Sequence, residues 1–182
     1  MTSEQANKRQ ENFIDVCTGC KASYACCFGT RPPVTPSRRN KIEKYLEDHR
    51  FPEADCFVVE DYVFPREKDD GYCIFHDLKT RRCLVHAVKP ETCVAGPITF
   101  DLKKQAGKIE WFLKKEQHCP LAGVVLRDKK LLAEHLVSAK REIVNLVDDL
   151  DSTALRAILK KDEPETFKID EDDVGAEITD KL

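Results

Sequence analysis

An α+β fold is what the sequence predicts, and three observations lead there. Leu132, Leu136, Ala139, Ile143, Leu146, Val147 and Leu150 recur at the spacing of one buried helix face. Short apolar runs rich in strand formers follow one another between residues 56 and 113, separated by charged, glycine-bearing turns. Thr35-Pro36 is a helix start, with a hydroxyl to cap and a proline at the first helical position.

Taken in order, Ile42, Tyr45, Leu46 and His49 extend that start into a helix over 36–49, which Phe51-Pro52 ends. Cys56-Phe57-Val58-Val59 reads as a strand, with residues 61–64 continuing it. Residues 66–71 turn, 72–76 resume as a strand, 77–80 turn again, and 82–88 form a third short apolar piece. Ile98 to Leu102 and Ile109 to Leu113 pair as a hairpin with Gln105-Ala106-Gly107 at its turn. A helix follows over 129–149, and Ser152 caps a shorter one with Leu155, Ile158 and Leu159 inward, ending before Pro164.

The chain has 182 residues, of which 41% are hydrophobic and 35% charged. That supplies a lean core, so something besides apolar burial is expected to hold it. No stretch approaches the roughly 20 apolar residues of a membrane span. The polar N-terminus lacks the apolar centre of a signal peptide. A cytoplasmic, reducing compartment is therefore expected, without stable disulfides. The net charge of −3 is uneven. Residues 162–182 carry nine carboxylates against two lysines, a balance of −7 that leaves +4 elsewhere. Such an end reads first as a solvated, partly disordered tail.

Nine cysteines are the main chemical signal, and an odd number fits a closed disulfide framework poorly. Cys17-Thr18-Gly19-Cys20 is a CxxC pair, and Cys26-Cys27 are adjacent. Cys73, Cys83 and Cys93 are spaced by ten, Cys119 precedes Pro120, and Cys56 stands in an apolar run that marks it as core. Two residues between thiols let both sulfurs turn toward one ion about 2.3 Å away. Gly19 suits that turn. Adjacent side chains on an extended strand point to opposite sides. Cys26 and Cys27 therefore serve different partners: one ligates while the other packs, or they face two metals.

The candidate ligands are Cys17, Cys20, Cys27, Cys73, Cys83, Cys93 and Cys119, with Cys26 in a second tier. His76 and His86 complete CxxH pairs and are each available as a further ligand. The preferred reading is a histidine at a strand end, because thiols alone fill a four-ligand site. Nothing marks His49 or His135 as ligands, and His118 stays open. Four thiolates on a divalent ion leave a double negative charge, which Lys21, Arg81, Arg82 and Lys89 are placed in sequence to offset.

CTGC, then CC, then YCIFHDLKTRRCLVHAVKPETC resembles the YkgJ-type cysteine-cluster family of zinc- or iron-chelating proteins. In that family a helix-initiating segment like VTPSRRNKIEKYL follows the first cysteines, and a lysine- or arginine-proline dipeptide precedes a later one, as in Lys89-Pro90-Glu91-Thr92-Cys93. The resemblance covers roughly residues 13–122. Two departures are the five residues between Cys20 and Cys26, and Val94-Ala95-Gly96-Pro97 where many members have an arginine and an aromatic residue. The resemblance implies metal binding.

The expected architecture is a small metal-centred α+β domain over 12–125, with short strands and a helix in its N-terminal half. A helical extension over 126–161 and the acidic tail over 162–182 follow it. Iron, or an iron–sulfur cluster ligated by thiolates, is the first reading, in electron transfer, metal handling or an accessory role. A zinc-stabilised binding module is the alternative. A thiol-redox enzyme on Cys17 and Cys20 ranks last, because thioredoxin-like strand–helix context is missing. A protein partner is expected through the C-terminal helices or the acidic tail. Arg38, Arg39, Lys41 and Lys44 read as a solvated face, so nucleic acid is not expected.

Overall fold

The computed structural model describes residues 16, 17, 20, 26–52, 55–161 and 164–182. Helix α1, Pro36–Asp48, begins where Thr35 and Pro36 place it. The Thr35 hydroxyl accepts from the Arg38 amide at 3.1 Å. It also donates to Glu91 Oε1 at 2.7 Å, so the cap is a tertiary contact as well. Ile42 on α1 is buried in a small cluster with Val34, Cys56, Ile74, Phe75 and Val85. Cys56 packs there as an apolar side chain.

Residues 61–64 do not continue the first strand. They reverse at Glu60 and Asp61, so that β1, Phe57–Val59, pairs antiparallel with β2, Val63–Pro65. The reversal carries Tyr62 and Phe64 into a second, larger core. Residues 72–76 also differ from the expected strand. Only isolated bridges form at Tyr72 and Cys73, and the chain turns at Ile74 and Phe75. Both of those side chains are buried in the small cluster. A continuous strand would have sent them to opposite faces, so the turn is what buries both. The strands beyond it are two residues long: β3, His76–Asp77, against β4, Arg82–Cys83. A single 3-10 turn, His86–Val88, and helix α2, Glu91–Ala95, follow.

The expected hairpin is present as β5, Ile98–Lys103, and β6, Lys108–Lys114, with Ile98 opposite Leu113. Gly107 closes it at φ +61°, a conformation that glycine adopts without strain. Ile109, Trp111 and Leu113 point alternately inward and are buried. Helices α3, Pro120–Arg127, and α4, Lys129–Asp149, cover that face, where Ala139, Ile143, Leu146 and Val147 of α4 are buried. Helix α5, Ser152–Leu159, is capped by Asp151 rather than Ser152. Asp151 Oδ1 accepts from the Thr153 and Ala154 amides, each at 2.9 Å. A carboxylate acceptor is favoured at the positive end of a helix over a neighbouring hydroxyl.

The acidic end is not a solvated tail. Residues Thr166–Asp173 form β7, which pairs along β6, and Ala176–Asp180 form helix α6, with Ile178 in the large core. Cations hold the carboxylates. Lys140 reaches Asp170 at 2.6 Å, Lys108 and Lys168 reach Glu171, and the Trp111 indole donates to Asp172 at 2.6 Å. The strand edge of β6 and these partners supply what composition alone does not reveal. Among the described residues no helix is long and apolar enough to cross a membrane.

Two outcomes test this arrangement. Leu113→Ala should cost about 2–5 kcal/mol in urea unfolding, since the side chain is fully buried beside Trp111. Leu84→Ala, at an exposed position, should cost under about 1 kcal/mol. Glu171 is held from its ordinary 4.5 down to about 2 by Lys108 and Lys168, and Asp170 is lowered by Lys140. Carboxylates depressed in the folded state stabilise it above their unfolded pKa and lose that contribution as pH falls toward the folded one. Protection of the β7 amides, measured against the intrinsic exchange rate at each pH, should therefore fall as pH drops from 4.5 toward 2, ahead of protection in α4. Protection of β7 unchanged to the bottom of that range would disprove the ionic clamp.

Candidate metal centre

The thiols come from separate stretches of chain. The Cys20 amide donates to the Cys17 carbonyl at 3.1 Å, the turn a CxxC pair makes. Gly19, expected to shape that turn, and Lys21, expected to offset charge, lie outside the described residues. The Cys27 carbonyl accepts from the Cys73 amide at 2.7 Å, and Phe28 bridges to Tyr72, so this stretch runs antiparallel beside residues 72 and 73. Cys83 lies on β4 opposite His76, and Cys93 sits in α2. Cys119 immediately precedes α3, which Pro120 starts. All nine cysteines are free thiols.

Their neighbours divide them. Cys27 has Cys83 and Cys73 as its leading thiol neighbours, and Cys93 has Cys83, with Lys89 next and then Cys27 and Cys73. Cys26 instead takes a hydrogen bond from the Cys119 thiol, and Cys17 has Cys26 and Cys20 beside it. Weaker interactions link Cys27 to Cys26 and Cys17. Cys56 belongs to the small apolar cluster instead.

Protonation follows burial and, at one pair, a thiol–thiol hydrogen bond. Burial, reinforced by neighbouring thiols, pushes Cys27 up to about 12, and burial pushes Cys73 up to about 11. Burial also raises Cys83 and Cys17, and raises Cys93 well above the ordinary thiol value. Cys26 is lowered to about 6 by the Cys119 hydrogen bond, with help from Lys114 and Lys89, and Cys119 is raised in return. The Lys89 ammonium acts on Cys17, Cys26, Cys83 and Cys93 together. The Arg81 guanidinium instead donates to the Cys20 carbonyl at 2.7 Å.

A clamp of charged residues sets Cys93. Arg38 donates to the Lys89 carbonyl at 3.1 Å, pairs with Glu142 of α4, and lies 3.6 Å from Glu91 Oε1. Arg38 is therefore no part of a solvated basic face. Glu91, two residues from Cys93, is 3% exposed, and burial raises its carboxyl. Together these contacts tie α1 and α4 to the segment that presents Lys89 and Cys93.

The histidines separate by role. His76 stacks on Tyr72 with ring centres 4.6 Å apart, and its Nδ1 is buried without a hydrogen-bond partner. Burial lowers His76, and burial with Lys89 lowers His86 to about 4, so both rings are neutral donors at neutral pH. His135 reaches the Ala95 and Gly96 carbonyls at 3.0 and 3.1 Å, at the end of α2. His118 lies 3.7 Å from Glu165, and His49 stacks on Tyr45.

Chemically, the donor set suits a thiophilic metal: eight free thiols, an orphaned buried imidazole nitrogen beside Cys73, and an ammonium among them. As they stand, no three His, Cys, Asp or Glu side chains among the described residues close on a single point. Holding an ion would draw the sulfurs inward. Sequence reading missed two supports of this site, helices α2 and α3. For α3 the signal was present, since Pro120 leads directly into Leu121, Ala122, Gly123, Val124, Val125 and Leu126.

No curated protein and no solved structure gives a match to the chain. A family model described as CxxCxxCC, a putative zinc- or iron-chelating domain, matches residues 16–120, the stretch that holds every one of these thiols. By that match, over more than half its length, the chain belongs to the CxxCxxCC cysteine-cluster family.

Proposed function

We propose that this protein holds an iron–sulfur cluster or iron through its cysteine thiolates, in a reducing compartment, and serves electron transfer, metal handling or an enzyme that needs such a partner. The observation that carries the reading is the gathering of eight thiols, distant in sequence, into mutual contact or electrostatic reach. All-sulfur ligation is what iron–sulfur clusters use. Eight thiols also exceed what one structural zinc takes. The family supports metal chelation and leaves zinc and iron both open.

Zinc as a structural staple is the second reading, and one feature favours it. The stretch between β2 and α2 has only two-residue strands and rests on a small apolar cluster. A bound zinc contributes about 10–16 kcal/mol of apparent binding energy in small domains, enough to order such a segment.

Protein purified without oxygen should show broad visible absorbance with stoichiometric iron. A colourless preparation with stoichiometric zinc would decide for the staple instead. Cys17→Ser and Cys83→Ser should each at least halve the bound metal and lower the melting temperature. Cys56→Ser should keep its metal while losing about 1–3 kcal/mol of stability from a buried hydroxyl. Metal loss in Cys56→Ser equal to that of Cys17→Ser would overturn its assignment to the core.

A further inference from the structure

We infer that the eight thiols make two adjacent metal centres: an inner one on Cys27, Cys73, Cys83 and Cys93, and an outer one on Cys17, Cys20, Cys26 and Cys119. The inference rests on the thiolate–metal reading above. Each set has four sulfurs, the number that closes a tetrahedral thiolate site or ligates a cluster.

The division follows from what each thiol meets. Cys27 is pinned by its carbonyl to the Cys73 amide. Its neighbour Cys26, in the same turn, meets the Cys119 thiol instead. Around Cys93 the other thiols are Cys83, Cys27 and Cys73, all inner. Cys17 faces Cys26 and Cys20, both outer.

The two sets also hang on different parts of the fold. The inner thiols stand on the bridge at residue 73, on β4 and on α2. The outer set joins Cys17, Cys20 and Cys26 to Cys119 at the foot of α3, whose Leu121, Ala122 and Val125 lie in the large core. An ion at the outer centre would therefore fasten the first cysteines to the helical core, while the inner one organises the short strands.

Lys89 acts on thiols of both sets, so a single cation offsets negative charge at either centre. Two outer thiols, Cys17 and Cys26, are exposed, while Cys20 and Cys119 are partly buried like the four inner ones. The outer centre is thus the one that meets incoming metal or a chelator.

The test uses the full chain, stripped of metal anaerobically and titrated with cobalt(II) chloride, whose thiolate charge-transfer and tetrahedral ligand-field bands report each filled site. The wild-type chain should take about two equivalents. Cys119→Ser and Cys73→Ser should each take about one with tetrahedral bands intact, and the double variant none. If Cys119→Ser fails to fold, Cys17→Ser serves as the outer variant, and Cys83→Ser stands in for Cys73→Ser. A wild-type chain that saturates at one equivalent overturns the two-centre inference and leaves thiolate metal binding standing. Binding of no cobalt overturns both. A single variant that keeps both equivalents, or loses both, overturns the division of ligands.

Discussion

The Cys73 amide donates to the Cys27 carbonyl at 2.7 Å, and the arrangement of the thiols depends on that contact. It is reinforced by the Gly29 amide, which reaches the Gly71 carbonyl at 3.0 Å, and by Phe28, whose ring meets Tyr72 edge-on at 5.1 Å. One backbone bond contributes only about 0.5–1.5 kcal/mol net. Its consequence is geometric: it brings the stretch that holds Cys26 and Cys27 beside the one that holds Cys73. The two stretches of cysteines are therefore brought together by backbone pairing rather than by any preference of the thiols.

Apolar burial does not extend far into this part of the chain. The small cluster beneath Cys73 and Cys83 has few members, and the segment that bears Cys93 adds to its one core residue, Ala95, a fastening by Arg38, Glu91, Glu142 and the Thr35 cap. Buried ion pairs contribute little net stability, yet removing one partner leaves a costly charge behind. Their use here is directional. They set the angle at which α2 leaves α1 and α4, whereas an apolar contact would let the short helix slide.

Much of this was legible in the sequence. Periodicity placed α1, α4 and the β5–β6 hairpin almost to the residue, since each carries an unbroken pattern with its own cap or glycine. The failures share a cause. At Ile74 and Phe75 two adjacent apolar residues read as a strand, yet a turn buries both on one side. In 166–173 the charge read as a solvated tail, because the lysines that answer it, Lys108 and Lys140, lie far away in sequence. Local pattern cannot register a partner that only the fold brings close. Spacing singled out the cysteines as a group, whereas which stretches of them lie side by side depends on contacts distant in sequence, such as that of residue 27 with residue 73.

Charge is distributed to match. The acidic strand β7 is answered by Lys108, Lys140 and Lys168, all directed at carboxylates. Lys89 and Lys114 act instead on thiols, and the one carboxylate among the leading influences on these cysteines is Glu67, a minor influence at Cys73. Carboxylates near the sulfurs would raise the cost of ionising them, and ammonium groups near them lower it. A set of thiolates gathered in a partly buried space needs that asymmetry before any metal arrives, because burial drives Cys17, Cys27, Cys73, Cys83 and Cys93 toward the neutral form. The net acidity of the chain is thus kept on the far strand, and the surroundings of the cysteines are left cationic.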